Sequence, residues 1–384
     1  MLKIGVIGYG HRISSVVDTM REFGIPFAIV AISDPRSVEI KSRNDPFLNG
    51  TVFYDNEDDL LAKADIDGVM IGTWCSSHAP MACKAAKRNL PLFIEKPVAI
   101  SFDQVKELRE AFKEVESPTV VSFPLRLSQI CLKLKEMIEA DEIGRVEHVV
   151  AFNDVPYGGV YFWNFYRDYD IVGGLFLQKA THDLDCIQFL LDQQPVRLAA
   201  MNAQRVYGGN KSFDLRCKDC DEQIDCPESP FNLYYRHHED DKVKEHEERM
   251  CLFSEGIENE DMSNCIIEYE NGTQASYTQN FFARHGAARR GARLYGHKGT
   301  IQFDWYANRI DVFKHQQPTV HTIEFKCDMP HFGGDRELAF DFLLTMRDGR
   351  PSRSPMCAGI DSALTCLWAR ESARTGSFCD VVPV

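Results

Sequence analysis

The first 34 residues constrain the fold of this chain more than any other stretch. An apolar run, Lys3-Ile4-Gly5-Val6-Ile7, enters Gly8-Tyr9-Gly10-His11-Arg12-Ile13; a helical segment from Ser14 to Phe23 and a second apolar run then lead to Ile32-Ser33-Asp34. The order is strand, glycine turn, helix, strand, acid. A dinucleotide needs those parts: glycines for close backbone approach, a helix N-terminus facing the pyrophosphate, and a carboxylate for the adenosine ribose. The third position of the fingerprint, where a small residue lets helix pack on strand, holds Ile13. Asp34 is placed to bond the ribose hydroxyls and repel a 2′-phosphate, which selects NAD. Arg36 can offset that repulsion and leaves NADP open.

At 384 residues with 44% hydrophobic, the chain is too long for one ordinary core and is expected to form two domains. A net charge of -14 argues against a nucleic-acid partner. No apolar stretch approaches the roughly 20 residues of a membrane helix, and a first strand beginning at Leu2 leaves no room for a signal peptide. The expectation is a cytoplasmic protein without a membrane partner.

From Met1 to about Phe123, β-branched runs alternate with helical stretches capped by Ser76 or Ser77 and by Ser101, the pattern of a doubly wound parallel sheet. Residues 1–123 are expected to form an NAD(P)-binding Rossmann domain. Beyond lie an amphipathic helix (Leu127 to Ala140), a helix around His182 to Leu191, hairpins at Asn271-Gly272 and Gly296 to Gly299, and closing helices Asp335 to Arg347 and Ala358 to Arg374. Residues 124–384 therefore read as an α+β domain with a large open, mainly antiparallel sheet, interrupted by an irregular Cys-rich insertion at about 210–260.

Most of the 13 cysteines stand alone in apolar segments and read as small buried hydrophobes. Cys217-x2-Cys220-x5-Cys226 differs, with His237, His238, His246 and Cys251 downstream as fourth-ligand candidates. Two readings stand side by side: a structural zinc site, and a loop with free thiols.

Ligands of a doubly wound sheet bind at the carboxyl ends of its strands. Two such ends are informative here: Thr73-Trp74-Cys75-Ser76-Ser77-His78 and Glu95-Lys96-Pro97. Proline excludes helix geometry from the residue before it, so Lys96 is expected to project into the cleft with a lowered pKa, as a proton shuttle or hydrogen-bond donor. His182 has chemistry suited to taking and returning a proton near neutrality. Upstream, the aromatic run from Tyr157 to Arg167 has two readings: a substrate wall, with Arg167 holding hydroxyls or a carboxylate, or sheet core.

Glu95-Lys96-Pro97, preceded by a Thr-x4-His segment and followed by Gly173-Gly174-x3-Gln178-Lys179-Ala180-Thr181-His182-Asp183-Leu184-Asp185 and by His331-Phe332-Gly333-Gly334-Asp335, resembles the Gfo/Idh/MocA family of NAD(P)-dependent oxidoreductases over essentially the whole chain. The resemblance implies a Rossmann domain joined to an α/β domain whose open sheet forms a subunit interface, hence a homo-oligomer, dimer or tetramer, and a sugar, inositol or polyol as substrate. It implies that Lys96 touches nicotinamide and substrate beside a cis-proline bond. It also implies that His182 acts as general acid or base, helped by an aspartate four residues earlier. That position is Gln178, beside a new cation, Lys179, and Trp74 replaces the proline expected after Thr73. Glutamine can orient a hydroxyl but cannot accept a proton.

The cofactor is thus expected against Gly8, Tyr9, Gly10, His11, Arg12, Ile13, Asp34, Thr73, Trp74, His78, Glu95 and Lys96. The substrate is expected against Lys96, Tyr157, Arg167, Gln178, Lys179 and His182. Asp183 and Asp185 are expected to orient or solvate their helix. The reading is hydride transfer with Lys96 and His182 handling the hydroxyl proton. Its rivals are a redox-neutral sugar-processing enzyme that oxidises transiently before elimination, and a nucleotide or sugar sensor without turnover.

Overall fold

The computed structural model describes residues 1–233, 241–242 and 246–384. Six short runs form the first sheet: β1 (Leu2–Ile7), β2 (Phe27–Ser33), β3 (Val52–Tyr54), β4 (Gly68–Ile71), β5 (Leu92–Ile94) and β6 (Thr119–Val121). All neighbours are parallel in the order β3-β2-β1-β4-β5-β6. The order reverses between β1 and β4, so a crevice opens beyond their carboxyl ends, where Gly8 and Gly72 lie.

Helix α1 (His11–Met20) starts three residues before the expected Ser14, because extended Gly10 serves as its N-cap without a side chain. The helix Cys75–Ala86 is entered from Trp74 rather than from Ser76 or Ser77. Ser101 caps Phe102–Ala111 as expected, its hydroxyl accepting from the Gln104 N–H at 3.2 Å. Ile13 fits where the fingerprint wants a small residue because the opposing strand end supplies the space. A Cβ at Gly72 would stand 2.1 Å from Ile13 Cγ1 and 2.9 Å from the Gly8 carbonyl oxygen.

The second sheet holds, among the described residues, nine strands: β7 (Val146–Asp154), β8 (Pro195–Ala203), β9 (Met262–Tyr269), β10 (Gln274–Asn280), β11 (Arg289–Gly296), β12 (Gly299–Asp304), β13 (Arg309–Lys314), β14 (Val320–Glu324) and β15 (Cys379–Asp380). Pairing is antiparallel except between β7 and β10. The Asn271-Gly272 hairpin forms as the sequence predicts, with Gly272 at φ +86°. Helix Thr181–Leu191 is buried along almost its whole length, unlike a surface helix with one apolar stripe.

The closing helix Gly334–Asp348 returns to the first sheet. Leu338, Phe342 and Leu343 are buried with Ile13, Val17 and Phe93, and the Phe342 ring meets Phe93 edge-on at 5.6 Å. Burying a phenylalanine to this extent contributes about 1.5–3 kcal/mol. The last helix, Met356–Thr375, joins the halves through a core shared by Val98, Val121, Leu184, Ala363 and Leu367. The insertion begins where Asp261 accepts the N–H groups of Arg205, Val206 and Tyr207. It packs Tyr207, Leu252 and Ile257 against Val155, Phe162, Leu175 and Phe281. Among the described residues no helix is long and apolar enough to cross a membrane.

Gly72→Ala should destabilise the protein by about 1–3 kcal/mol through overpacking. In an Ile13→Ala background the same change should cost less than half as much in denaturant melts. Strict additivity of the two changes would show that Ile13 is not the obstructing group.

Candidate active site

The glycine turn is shaped for a ligand that approaches its backbone. Gly8 sits at φ +82°, and a Cβ there would meet the Gly72 and Thr73 backbone at 2.8 Å. A Cβ at Gly10 would meet only Arg36 Nη2 at 3.6 Å and the Gly72 carbonyl oxygen at 3.9 Å, leaving the start of α1 open with no side-chain cap on its N–H groups. Free amides at a helix N-terminus beside a glycine hollow suit a pyrophosphate. Asp34 is buried and holds the turn, its Oδ2 accepting the Tyr9 N–H at 2.8 Å. Arg36 donates to Asp34 from its backbone at 2.8 Å and from its guanidinium at 3.1–3.2 Å, while remaining half exposed. These residues fit a dinucleotide.

Several residues expected against the cofactor have other partners. The Arg12 guanidinium pairs with Glu95 at 2.9 Å and Asp335 at 2.5 Å, so it is not free to hold phosphate. The Tyr9 ring is core, and burial raises its phenol to about 12. His78 is buried with Nδ1 at 2.8 Å from the Pro97 carbonyl and Nε2 at 3.0 Å from that of Thr73, and burial lowers its pKa. It ties the end of β4 to the Lys96–Pro97 bond, which is cis. Trp74 is 54% exposed and stacks on Phe165, 5.8 Å away, reaching toward the second sheet's aromatic run.

The Lys96 ammonium crosses the cleft and donates to the Gln178 carbonyl at 3.0 Å. Gln178 lies in a π-helical turn, Phe176–Ala180, a feature the sequence did not announce. That turn leads directly into the helix carrying His182, which brings imidazole and ammonium together. Burial, with the neighbouring cations Lys179 and Arg12, lowers the Lys96 pKa to about 8 against the pull of Cys75 and Glu95. His182 is pushed well below its ordinary value by burial and then by Lys96, Arg290, His331 and Lys179. Its Nδ1 is buried without a hydrogen-bond partner among the described residues. In place of a carboxylate, Gln178 presents an amide oxygen that accepts from Cys75 Sγ at 3.7 Å.

Lys179 points into an aromatic nest, its Nζ 2.5 Å from the Tyr157 hydroxyl and 3.3 Å from that of Tyr161. Tyr157 is 48% exposed at the rim, whereas Tyr161 and Phe162 are core, so the aromatic run divides between the two readings. Asp183 anchors the helix rather than facing water: it accepts from Arg290 Nε at 2.7 Å, Asn153 Nδ2 at 2.8 Å and Tyr277 at 2.8 Å. Asp185 does the same with Arg126 at 2.5 Å.

The Arg167 guanidinium lies over the Phe213 ring of the insertion at 4.5 Å. Its three nitrogens are buried without a hydrogen-bond partner among the described residues, and burial lowers its pKa. Of the two readings of the cysteine run, the zinc site is not supported. Cys217, Cys220 and Cys226 line a small apolar cavity of about 20 Å³ with Cys251. Yet among the described residues no group of three or more His, Cys, Asp or Glu side chains is placed to hold a metal ion. His237 and His238 lie outside the described residues.

Fold and cleft together define an oxidoreductase with an NAD-binding Rossmann fold, and residues 2–123 match the family model of that description. Residues 131–302 match the GFO/IDH/MocA C-terminal domain. The chain belongs to the Gfo/Idh/MocA oxidoreductase family. It is 25% identical over 313 residues to YteT of Bacillus subtilis (strain 168), 74% of this chain and 72% of that protein. It is 28% identical over 203 residues to scyllo-inositol 2-dehydrogenase (NAD(+)) of the same organism, a match spanning 50% of this chain and 53% of that protein. Levoglucosan dehydrogenase in complex with NADH and levoglucosan shares the fold, with a TM-score of 0.77 at 19% identity over 99% of both chains.

The Arg12–Asp335 contact gives a pH test. Burial opposes ionisation of Asp335, but His331 and Arg12 outweigh it and hold the carboxyl at about 2, below its ordinary 3.8. A depressed carboxyl stabilises the fold fully above its unfolded pKa and loses that contribution, here of the order of 2 kcal/mol, as pH falls through the folded value. Asp335→Asn should flatten the decline of the denaturant midpoint between about pH 4 and 2. An unchanged acid limb in the variant would dismiss this pair as a source of the pH dependence.

Proposed function

We propose that the protein is a cytoplasmic dehydrogenase that moves hydride between NAD and a hydroxyl or carbonyl carbon of a sugar, polyol or sugar derivative. The observation that carries this reading is the Lys96 to Gln178 bond, which draws an ammonium from the first sheet and an imidazole from the second to one cleft above the glycine turn. When bound, the nicotinamide accepts or returns the hydride; this chain binds, orients and moves the proton. Lys96 serves as hydrogen-bond donor to the reacting oxygen, where a donor stabilises developing negative charge. His182, neutral in this setting, orients the substrate hydroxyl. Asp34 beside the open glycine hollow favours NAD over NADP. Inositol and levoglucosan dehydrogenases among the relatives and neighbours support a polyhydroxylated substrate. Thirteen free thiols fit a reducing compartment.

A panel of inositols, sugars, sugar acids and glycosides, run with NAD and with NADP, should show NADH formation with at least one polyol and weaker use of NADP. Lys96→Met should lower kcat/KM by about 10³ or more while NAD affinity stays within a few-fold. Product without net NADH would replace this reading with redox-neutral chemistry, and wild-type turnover in Lys96→Met would remove the lysine from it.

Association of copies through the outer face of the second sheet belongs to the same reading. Met201 on β8 and Ile266 on β9 stand 76% and 51% exposed there. Apolar side chains clustered on an open sheet face suit an isologous contact. Light scattering should give a dimer or tetramer for the native chain and a smaller species for Met201→Glu/Ile266→Glu; a native monomer would refute the contact.

A further inference from the structure

We infer that the Tyr157 hydroxyl, seated on the Lys179 ammonium, is the group that takes the alcohol proton during oxidation. The inference rests on the dehydrogenase reading above and assigns a step that His182 is poorly placed to perform. Protonating His182 would add a positive charge beside Lys96, Arg290, His331 and Lys179, with no carboxylate at position 178 to offset it. Lys96 is needed as a donor, since it holds the Gln178 carbonyl and a deprotonated amine stabilises a developing alkoxide poorly.

Tyr157 meets the requirements that these two do not. Its hydroxyl is 2.5 Å from Lys179 Nζ, and the ammonium also lies 4.6 Å from the ring centroid. Its ring is half exposed, while its turn is rigid: a Cβ at Gly158 would fall 1.8 Å from the Phe281 carbonyl oxygen, and Val155 donates to Asn280 at 2.9 Å. The groups facing it are Lys179 and Arg290, which favour the phenolate, Tyr306, which donates to it, and the neutral phenols Tyr161 and Tyr166; Asp183 is paired with Arg290. Burial alone would raise the phenol, but Lys179 and Arg290 outweigh it and bring Tyr157 down to about 8.

The step balances as follows. The substrate C–H bond breaks and its electron pair leaves as hydride to NAD, the oxidant. The O–H bond breaks, its proton goes to the Tyr157 phenolate, and the C=O bond forms from the oxygen's electrons. The phenol then returns its proton to water. Lys179 is a positioning residue that holds the phenolate.

Two measurements decide it. Ultraviolet difference titration of the protein without cofactor, native minus Tyr157→Phe, should show one tyrosinate appearing near pH 8 instead of near the ordinary phenol value of about 10, and Lys179→Met should move it upward. With a polyol found active in the panel, native kcat/KM should rise as pH passes through about 8, and Tyr157→Phe should lower kcat/KM by about 10²–10⁴ and erase that rise, with NAD affinity unchanged. Tyrosinate appearing only near pH 10, or Tyr157→Phe turning over within three-fold of native with the rise intact, overturns the assignment. If no polyol reduces NAD, the dehydrogenase reading fails and the assignment fails with it, even where the tyrosinate titrates early. Native turnover together with a late tyrosinate sinks the tyrosine alone.

Discussion

The carboxylate of Asp183 is the fixed point of the cleft. It receives Asn153 from β7, Tyr277 from β10 and Arg290 from β11, so one buried side chain joins a helix to three strands. A buried carboxylate is tolerable only when its lone pairs are filled, and filling them from three strands fixes the helix in position as well as in orientation. Breaking such a buried pair typically costs about 3–5 kcal/mol, because the partner charge is then left without compensation. Everything before Asp183 on that helix inherits its placement. His182 stands beside it, and the π-turn holding Gln178 and Lys179 precedes it directly.

A second constraint ties the closing helix to the first sheet. Arg12, at the first turn of α1, engages Glu95 beside Lys96 and Asp335 at the start of a helix more than three hundred residues on. Behind it, Phe342 and Leu338 seal the same helix onto the first core. Charge at one end and apolar packing at the other act along one element, so the glycine hollow and the Lys96 cleft keep one relative geometry. Arg12, expected against the cofactor, thus also ties the first helix to the closing one.

The difference between what the residues announced and what they concealed follows contact range. Strands alternating with helices, the cap at Ser101 and the Asn271-Gly272 hairpin depend on neighbours within a few residues, and these were legible. So was the projection of Lys96, since Pro97 restricts it locally. The π-turn was not, because its start is set by Glu260 accepting the Phe176 N–H from 84 residues away. Nor was the direction of Arg167, which depends on an insertion whose Phe213 offers a ring for it to lie against. Ile13 looked like a defect in the glycine fingerprint until Gly72, on a different strand, supplied the missing room.

The same logic explains why a glutamine at position 178 is compatible with proton transfer. A carboxylate there would lie against Lys96, raise its pKa and support a charged His182. With an amide instead, the cationic side chains of the cleft, Lys96, Lys179 and Arg290, outnumber the carboxylates beside them: Asp183 is paired with Arg290, and Glu95 near Lys96 is already paired with Arg12. In a buried setting that imbalance works in one direction: it makes each further positive charge costlier and each negative charge cheaper. Burial first, and then this imbalance, lowers Lys96 and silences the imidazole as a base, while the cations Lys179 and Arg290 favour phenolate on Tyr157. Removing the acid from its usual place therefore moves the proton acceptor across the cleft, to the side where the extra ammonium stands.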